Sequence, residues 1–256
     1  SHVTLALLDN YTKYLLQIAD SSVIIGQRLA ELCGHGPVLE EDIALTNMSL
    51  DYIGQARLIY ARLAEHVNDG RSEDDWAFLR NETQYRNLLI CEQENGDFAE
   101  TIARQFYFSA FAVPFFKSLS NSKDEFLSGL AQKSVKEATY HLRHCSEWII
   151  RLGDGTPESH SRMQQAIDKL WMYTGEMFAM TPEEDSLLNE GISVQLADLK
   201  PLWHAKIADT LEAATLVLPK DSWMQSGGKM GKHSELLGFM LAELQYMQRA
   251  FPGAKW

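Results

Sequence analysis

Three cysteines in 256 residues, at positions 33, 91 and 145, are too few and too scattered for a disulfide framework, and none lies in a Cys-x-x-Cys spacing. That usage suits a reducing compartment, and all three are read as buried or inert thiols. Basic residues are also scarce: 23 Lys and Arg stand against 35 Asp and Glu, giving a formal charge of −12. A field of that sign repels nucleic acid and anionic membranes, which disfavours both as main partners. Long apolar runs are missing. The most apolar stretch, residues 106–116, falls well short of the roughly 20 residues a membrane-spanning helix needs, and no charged-then-apolar signal opens the chain. A soluble, cytoplasmic protein is expected. Strand-like alternation is short and rare, whereas helical periodicity recurs from end to end, so the class is all-α.

With 45% apolar residues the chain can fill one large core, and a single domain over residues 1–256 is expected. The first long helix is placed at about Leu5 to Leu32, stopped by Gly34, Gly36 and Pro37. A second begins near Leu39, where Glu40, Glu41 and Asp42 suit the positive end of the helix dipole, and continues to about His66. Residues 69–75 are read as an acidic, solvated connection, and Trp76 to Tyr85 as a short element that packs back. A third helix follows Asn95-Gly96 and carries aromatics to Phe116, with Pro114 expected to kink or end it. The fourth covers about Lys123 to Leu152. Two long pairs in sequence, separated by a longer connection, give the order of a ferritin-like four-helix bundle with its core at about residues 5–152. Helices near 157–178, 181–189, 198–216 and 233–251 then form a C-terminal extension over about 156–256.

The fourth helix contains EATYHLRH, residues 137–144, which almost completes a di-iron ligand motif. At ~100° per residue Glu137, Tyr140, His141 and His144 share a face with Phe126, Leu130 and Trp148, so metal-competent groups interrupt an apolar stripe. Four-helix carboxylate proteins hold their metal pair with one Glu from each of two helices and a Glu-x-x-His from each of the other two. Here Ala138 stands three residues before His141, and His141 three before His144. Glu137 and His141 are four apart, a spacing that serves a hydrogen bond as readily as shared ligation. On the second helix Asp51 is the matching carboxylate, but Gly54 occupies the place of the histidine. Mid-helix glycine costs roughly 1 kcal/mol against alanine, so its expected role is to admit a close neighbour. Counting back across the turn at residues 34–37 sets Asp20, or a residue one turn later, opposite Asp51, with Gln27 seven residues on. Glu100, Arg104 and Gln105 are equally placed candidates from the third helix. A full set of four carboxylates and two histidines cannot be assembled. Asp20, Asp51, Glu137, His141 and His144 are therefore read as a vestigial centre, with no catalytic residue and no metal assigned.

Five separated blocks carry a resemblance: residues 26–65, EQENGDFAETIARQFYF (92–108), KEATYHLRHCSEWIIRLGDGT (136–156), MQQAIDKLW (163–171) and GGKMGKHSELLGFMLAELQYMQR (227–249). Together they closely resemble the C-subunit family of bacterial phenylacetyl-CoA epoxidases, over nearly everything after Tyr11. Departures are small: Leu32 replaces a common aromatic, and the loops around Asp69 and Asp221 look variable. The resemblance implies a ferritin-like protein without a functional metal centre, associated with a catalytic paralogue, the A-type component of the same complex. That paralogue holds the di-iron centre and epoxidises phenylacetyl-CoA with dioxygen. Electrons would come from NADPH through a reductase carrying FAD and iron-sulfur; the B-type component and the reductase are further candidate partners.

Two other readings stay open. One is an active di-iron oxygenase with atypical ligands. The other is a coenzyme A-binding accessory module, because glycines and cations in GGKMGKH precede a helix: Lys229, Lys232 and His233 could contact a phosphate there, although the spacing is not that of a Walker motif. Aromatic or Met-rich faces, Trp171, Met172, Met177 and Phe178 or the helix at 239–251, are candidate partner surfaces. Such stripes also serve as core.

Overall fold

The computed structural model describes residues 8–250, and among them there are helices, turns and loops but no strand. The helices are α1 (Asn10–Ala30), α2 (Leu39–Val67), α3 (Glu73–Phe78), α4 (Leu89–Glu92), α5 (Phe98–Leu119), α6 (Glu125–Gly153), α7 (Pro157–Leu170), α8 (Pro182–Asn189), α9 (Lys200–Ala213) and α10 (Glu235–Ala250). Contacts group the chain into two compact units, residues 1–93 with 227–256, and residues 94–226. The segment expected as one C-terminal extension is thus shared: 156–226 belongs to the second unit, 227–256 to the first. Leu5 and Phe251, the outer limits set from sequence for the first and last helices, lie outside the described residues.

In the first unit α1 is buried on nearly all sides between Tyr14 and Ile25, as expected of a helix apolar around most of its circumference. Asp9 caps it by accepting from the Thr12 amide at 2.7 Å. It runs antiparallel to α2: Ser49 Oγ donates to the Gly26 carbonyl (2.9 Å), Gln55 Nε2 to Ser22 Oγ (3.1 Å), and the Tyr60 hydroxyl to Asp20 Oδ1 (2.5 Å). The close approach between the two is made by Gly26. A Cβ there would lie 3.0 Å from Ile53 Cγ1 and 3.1 Å from Tyr52 Cβ. Gly54, expected to serve this purpose, does not: its own Cβ would meet nothing within 4 Å, because it faces away from α1.

Helix α3 starts inside the segment read as an acidic connection. Ser72 and Asp75 close a capping box, and Glu73, Asp74 and Asp75 occupy the positive first turn. The single turn α4 is not evident in the sequence, since four residues are too few to show a period.

In the second unit α5 and α6 are antiparallel, with Phe98 edge-on to Trp148 at 4.9 Å between ring centroids. Pro114 does not end α5, which continues through Phe115, Phe116 and Leu119. Those three side chains are buried, and their burial offsets the hydrogen bond the proline forfeits. Trp171, Met177 and Trp203 are buried, and Phe178 packs at 5.4 Å against Trp203. Tyr107 joins them, donating its hydroxyl to the Ile167 carbonyl (2.8 Å) and accepting at its own carbonyl from Trp203 Nε1 (3.0 Å). Of the candidate partner surface, Trp171 and Met177 are therefore core, while Met172 and Phe178 are half-buried; 3-10 turns after α7 fold the segment back onto α5.

Candidate functional site

Two buried polar networks organise the first unit. At the first, Asp20 on α1 is fully buried and its carboxylate is saturated by donors. Arg80 donates from Nη1 to Oδ2 (3.1 Å) and from Nη2 to Oδ1, Tyr60 donates to Oδ1, and the Arg86 amide donates to Oδ2 (2.8 Å). Arg80 is itself locked by the carbonyls of Trp76 (2.7 Å) and Gln84 (2.9 Å), and its guanidinium lies over the Tyr85 ring at 4.2 Å. Burial opposes the Arg80 charge, but the Asp20 carboxylate and, to a smaller extent, Tyr60 and Tyr85 together hold the guanidinium more firmly protonated than usual. Burial, and then the same carboxylate, pushes the Tyr60 phenol far above its ordinary range.

The second network ties the segment before α10 to α4. Glu92 is fully buried. Its Oε1 accepts from Asn87 Nδ2 (3.1 Å) and meets His233 Nδ1 (2.7 Å), while Oε2 accepts from the Ser234 amide (2.8 Å) and hydroxyl (2.6 Å). His233 Nε2 lies 2.7 Å from the Tyr85 carbonyl. Both ring nitrogens thus face acceptors, an arrangement that only the doubly protonated imidazolium satisfies. Burial pulls the His233 pKa down, yet the Glu92 hydrogen bond and charge and the Tyr85 carbonyl together raise it above its ordinary 6.5. Arg28 completes the knot by donating to the Glu92 carbonyl from Nε (3.1 Å) and Nη2 (2.8 Å).

Several site residues read from the sequence now take other places. The α1–α2 pairs put Tyr60 beside Asp20 and set Asp51 near the level of Gly26. Asp51 is nine residues from Tyr60, or ~13 Å along the helix at 1.5 Å per residue. Of the two levels counted from the turn, the one a turn after Asp20 is the nearer, because α1 already ends at Ala30 and the turn is longer on its side. Asp51 is half-buried, and Gln27 lines a cavity of about 50 Å³ with Phe78, Leu244, Met247 and Gln248 instead of joining Asp20. On α6 the inward face passes through Ala138, His141 and Cys145; Glu137 and His144 are half-buried and Tyr140 is 46% exposed. On α5 the fully buried polar residues are Arg104, which donates to Asn95 Oδ1 (2.8 Å) and Gln105 Oε1 (2.9 Å), and Gln105. Glu100 turns outward to Lys169 at 3.0 Å.

Asp20 and Asp51 belong to the first unit, and Glu137, His141 and His144 to the second. Among the described residues no three His, Cys, Asp or Glu side chains group closely enough to hold a metal ion. The donor set does not fit a di-iron pair, since the most deeply buried carboxylate of the expected set has a guanidinium, a phenol and an amide where metal would bind.

The glycine-rich segment also departs from expectation. His233 has both nitrogens engaged internally and cannot receive a phosphate, and Lys229 is buried. Gly231, at φ +86°, lies so close to Thr83 and Arg86 that a Cβ would be 2.3 Å from the Thr83 carbonyl oxygen. The glycines therefore fit this segment to residues 83–86 rather than to an anion. Lys232 is exposed. Cys33 is exposed as well, whereas Cys91 and Cys145 are buried; none of the three forms a disulfide. No described helix is long and apolar enough to cross a membrane.

Comparison with known proteins defines the class. Residues 5–256 match the family described as Phenylacetic acid catabolic protein, and the chain belongs to that family, whose fold is ferritin-like and helical. Among individual proteins, it is 45% identical over 249 residues to the C subunit of 1,2-phenylacetyl-CoA epoxidase from Escherichia coli (strain K12). That alignment covers 97% of this chain and 100% of the relative.

Proposed function

We propose that this chain is a noncatalytic structural subunit of a multicomponent phenylacetyl-CoA epoxidase in aerobic phenylacetate catabolism, acting in the cytoplasm as one ferritin-like domain. It binds and stabilises the di-iron catalytic paralogue, the A-type component, which in turn meets the B-type component and the reductase. The likeness to the C subunit of the Escherichia coli enzyme supports the assignment to the complex. One observation carries the noncatalytic part: Arg80, Tyr60 and the Arg86 amide saturate Asp20, so the buried carboxylate that should ligate metal is already neutralised. The chain holds no iron, flavin or nicotinamide of its own in this reading; those belong to the paralogue and the reductase.

Anaerobic iron loading followed by elemental analysis is expected to leave well under one tightly held iron per chain. Two irons per chain would overturn the noncatalytic reading and restore an active oxygenase. Coexpression with the catalytic paralogue is expected to give a joint peak on size exclusion that survives dilution, because a permanent interface buries roughly 2,000 Å² or more. Separate peaks, with full epoxidation by the paralogue alone, would defeat the scaffold role.

A further inference from the structure

Asn95 and Gly96 form the one Asn-Gly pair of the sequence, at the entry to α5. Asn95 is buried, while Gly96 is exposed. Gly96 has φ +56°, in the left-handed region that glycine tolerates, so the turn itself demands it. Three groups of the same compact unit close around this dipeptide. Arg104, fully buried, donates from Nη1 to Asn95 Oδ1 (2.8 Å), and Thr101 donates its hydroxyl to the Asn95 main-chain carbonyl (2.8 Å). The third is Glu100, anchored by Lys169 Nζ at 3.0 Å. A Cβ on Gly96 would lie 2.1 Å from Glu100 Oε2, which sets that oxygen no more than about 4.6 Å from the Gly96 amide nitrogen, a gap that a side-chain rotation closes. These contacts seat the start of α5, and they also surround the atoms of an intramolecular reaction.

An asparagine amide followed by glycine lies open to attack by the next backbone nitrogen, because glycine carries no side chain to shield it. We propose that Asn95 is a self-modifying position, losing ammonia in the folded chain to become aspartate. Glu100 takes the Gly96 amide proton as that nitrogen bonds to Asn95 Cγ. Negative charge gathers on Oδ1, where the Arg104 guanidinium already points a donor. The proton then leaves with the side-chain nitrogen as ammonia, and a succinimide ring remains. Water entering beside the exposed Gly96 opens the ring at one of two carbonyls. Attack at Cγ breaks the new bond, restores the peptide and gives aspartate. Attack at the main-chain carbon leaves Gly96 joined through Cγ, as isoaspartate. Arg104 polarises the first carbonyl and Thr101 the second. A charged donor is roughly twice as strong as a neutral one, so aspartate should predominate. The carboxylate formed faces Arg104 and keeps its hydrogen bond. The inference is independent of the scaffold reading, since every reacting protein atom belongs to this chain.

Incubating the purified full chain at neutral pH is expected to add about 1 Da to the peptide containing residue 95, read by mass spectrometry after digestion. Heavy-oxygen water should label the new carboxyl group. The folded chain should react about tenfold or more faster than the same chain unfolded in urea. Electron-transfer fragmentation should find more aspartate than isoaspartate, a preference that unfolding should abolish. Glu100→Gln, at a half-buried position, should slow the folded-state reaction about tenfold and leave the product ratio unchanged. An Asn95 amide that persists in the folded chain at least as long as in urea overturns the proposal, because the contacts then protect it. So does a folded-state product that is mainly isoaspartate, or a rate that Glu100→Gln leaves unchanged.

Discussion

Replacing Arg80 with alanine is expected to cost about 3–5 kcal/mol of unfolding free energy, the usual penalty for stranding one member of a buried ion pair. Arg80 and Asp20 are 3% and 0% exposed, so water cannot replace the lost guanidinium. The loss extends beyond the pair. Arg80 also holds the carbonyls of Trp76 and Gln84, so α3 and the turn after it lose their tie to α1. Asp20→Ala should be comparably severe, because it leaves the guanidinium facing the buried Tyr60 and Tyr85 rings. The double replacement Asp20→Leu with Arg80→Met should recover much of the stability, since two charges then leave the interior together. Urea unfolding midpoints of the three variants decide it. A loss below about 1 kcal/mol for Arg80→Ala would put the pair in the class of solvent-screened ion pairs and remove its structural role.

Replacing His233 with alanine is expected to cost about 1–3 kcal/mol, through lost charge-assisted hydrogen bonds to Glu92 and the Tyr85 carbonyl. The effect should centre on α10, whose amide exchange should accelerate while that of α5 and α6 stays unchanged. The same contact predicts a pH dependence. The folded pKa of His233 is raised above 6.5, so the folded state binds the proton more tightly than the unfolded chain. The contribution is therefore fully present below about pH 6.5 and fades as pH rises through the higher folded value. Above it, one ring nitrogen presents a lone pair to an acceptor. Proton-detected titration of the His233 ring, with unfolding followed across the same range, checks both parts. A folded pKa at or below 6.5, or an α10 insensitive to alkaline pH, would show that Glu92 is held by Asn87 and Ser234 alone.

The long helices are legible because each is long enough to show its period and carries local stop or start signals. Gly34, Gly36 and Pro37 lie between α1 and α2, and α2 starts at Leu39, where its acidic first turn places it. Short elements are not legible for the converse reason. Helix α4 has no period to display, and α3 depends on the capping pair Ser72 and Asp75 within a run that otherwise reads as a solvated charge cluster.

Chemistry divides along the same line. By itself the sequence determined the all-α class, the two long pairs, and the broken ligand spacing at Gly54 and Ala138, because these are properties of residue order along one helix. Only the tertiary structure decided which groups meet. Arg80 comes from 60 residues beyond Asp20, and His233 from 141 residues beyond Glu92. No local pattern marks either partner, since a buried charge is compensated by whatever donor the packing brings to it. The outward position of Gly54 was equally hidden: the residue signals a close approach, but whether a neighbour within the chain fills that space depends on which face of α2 the core claims.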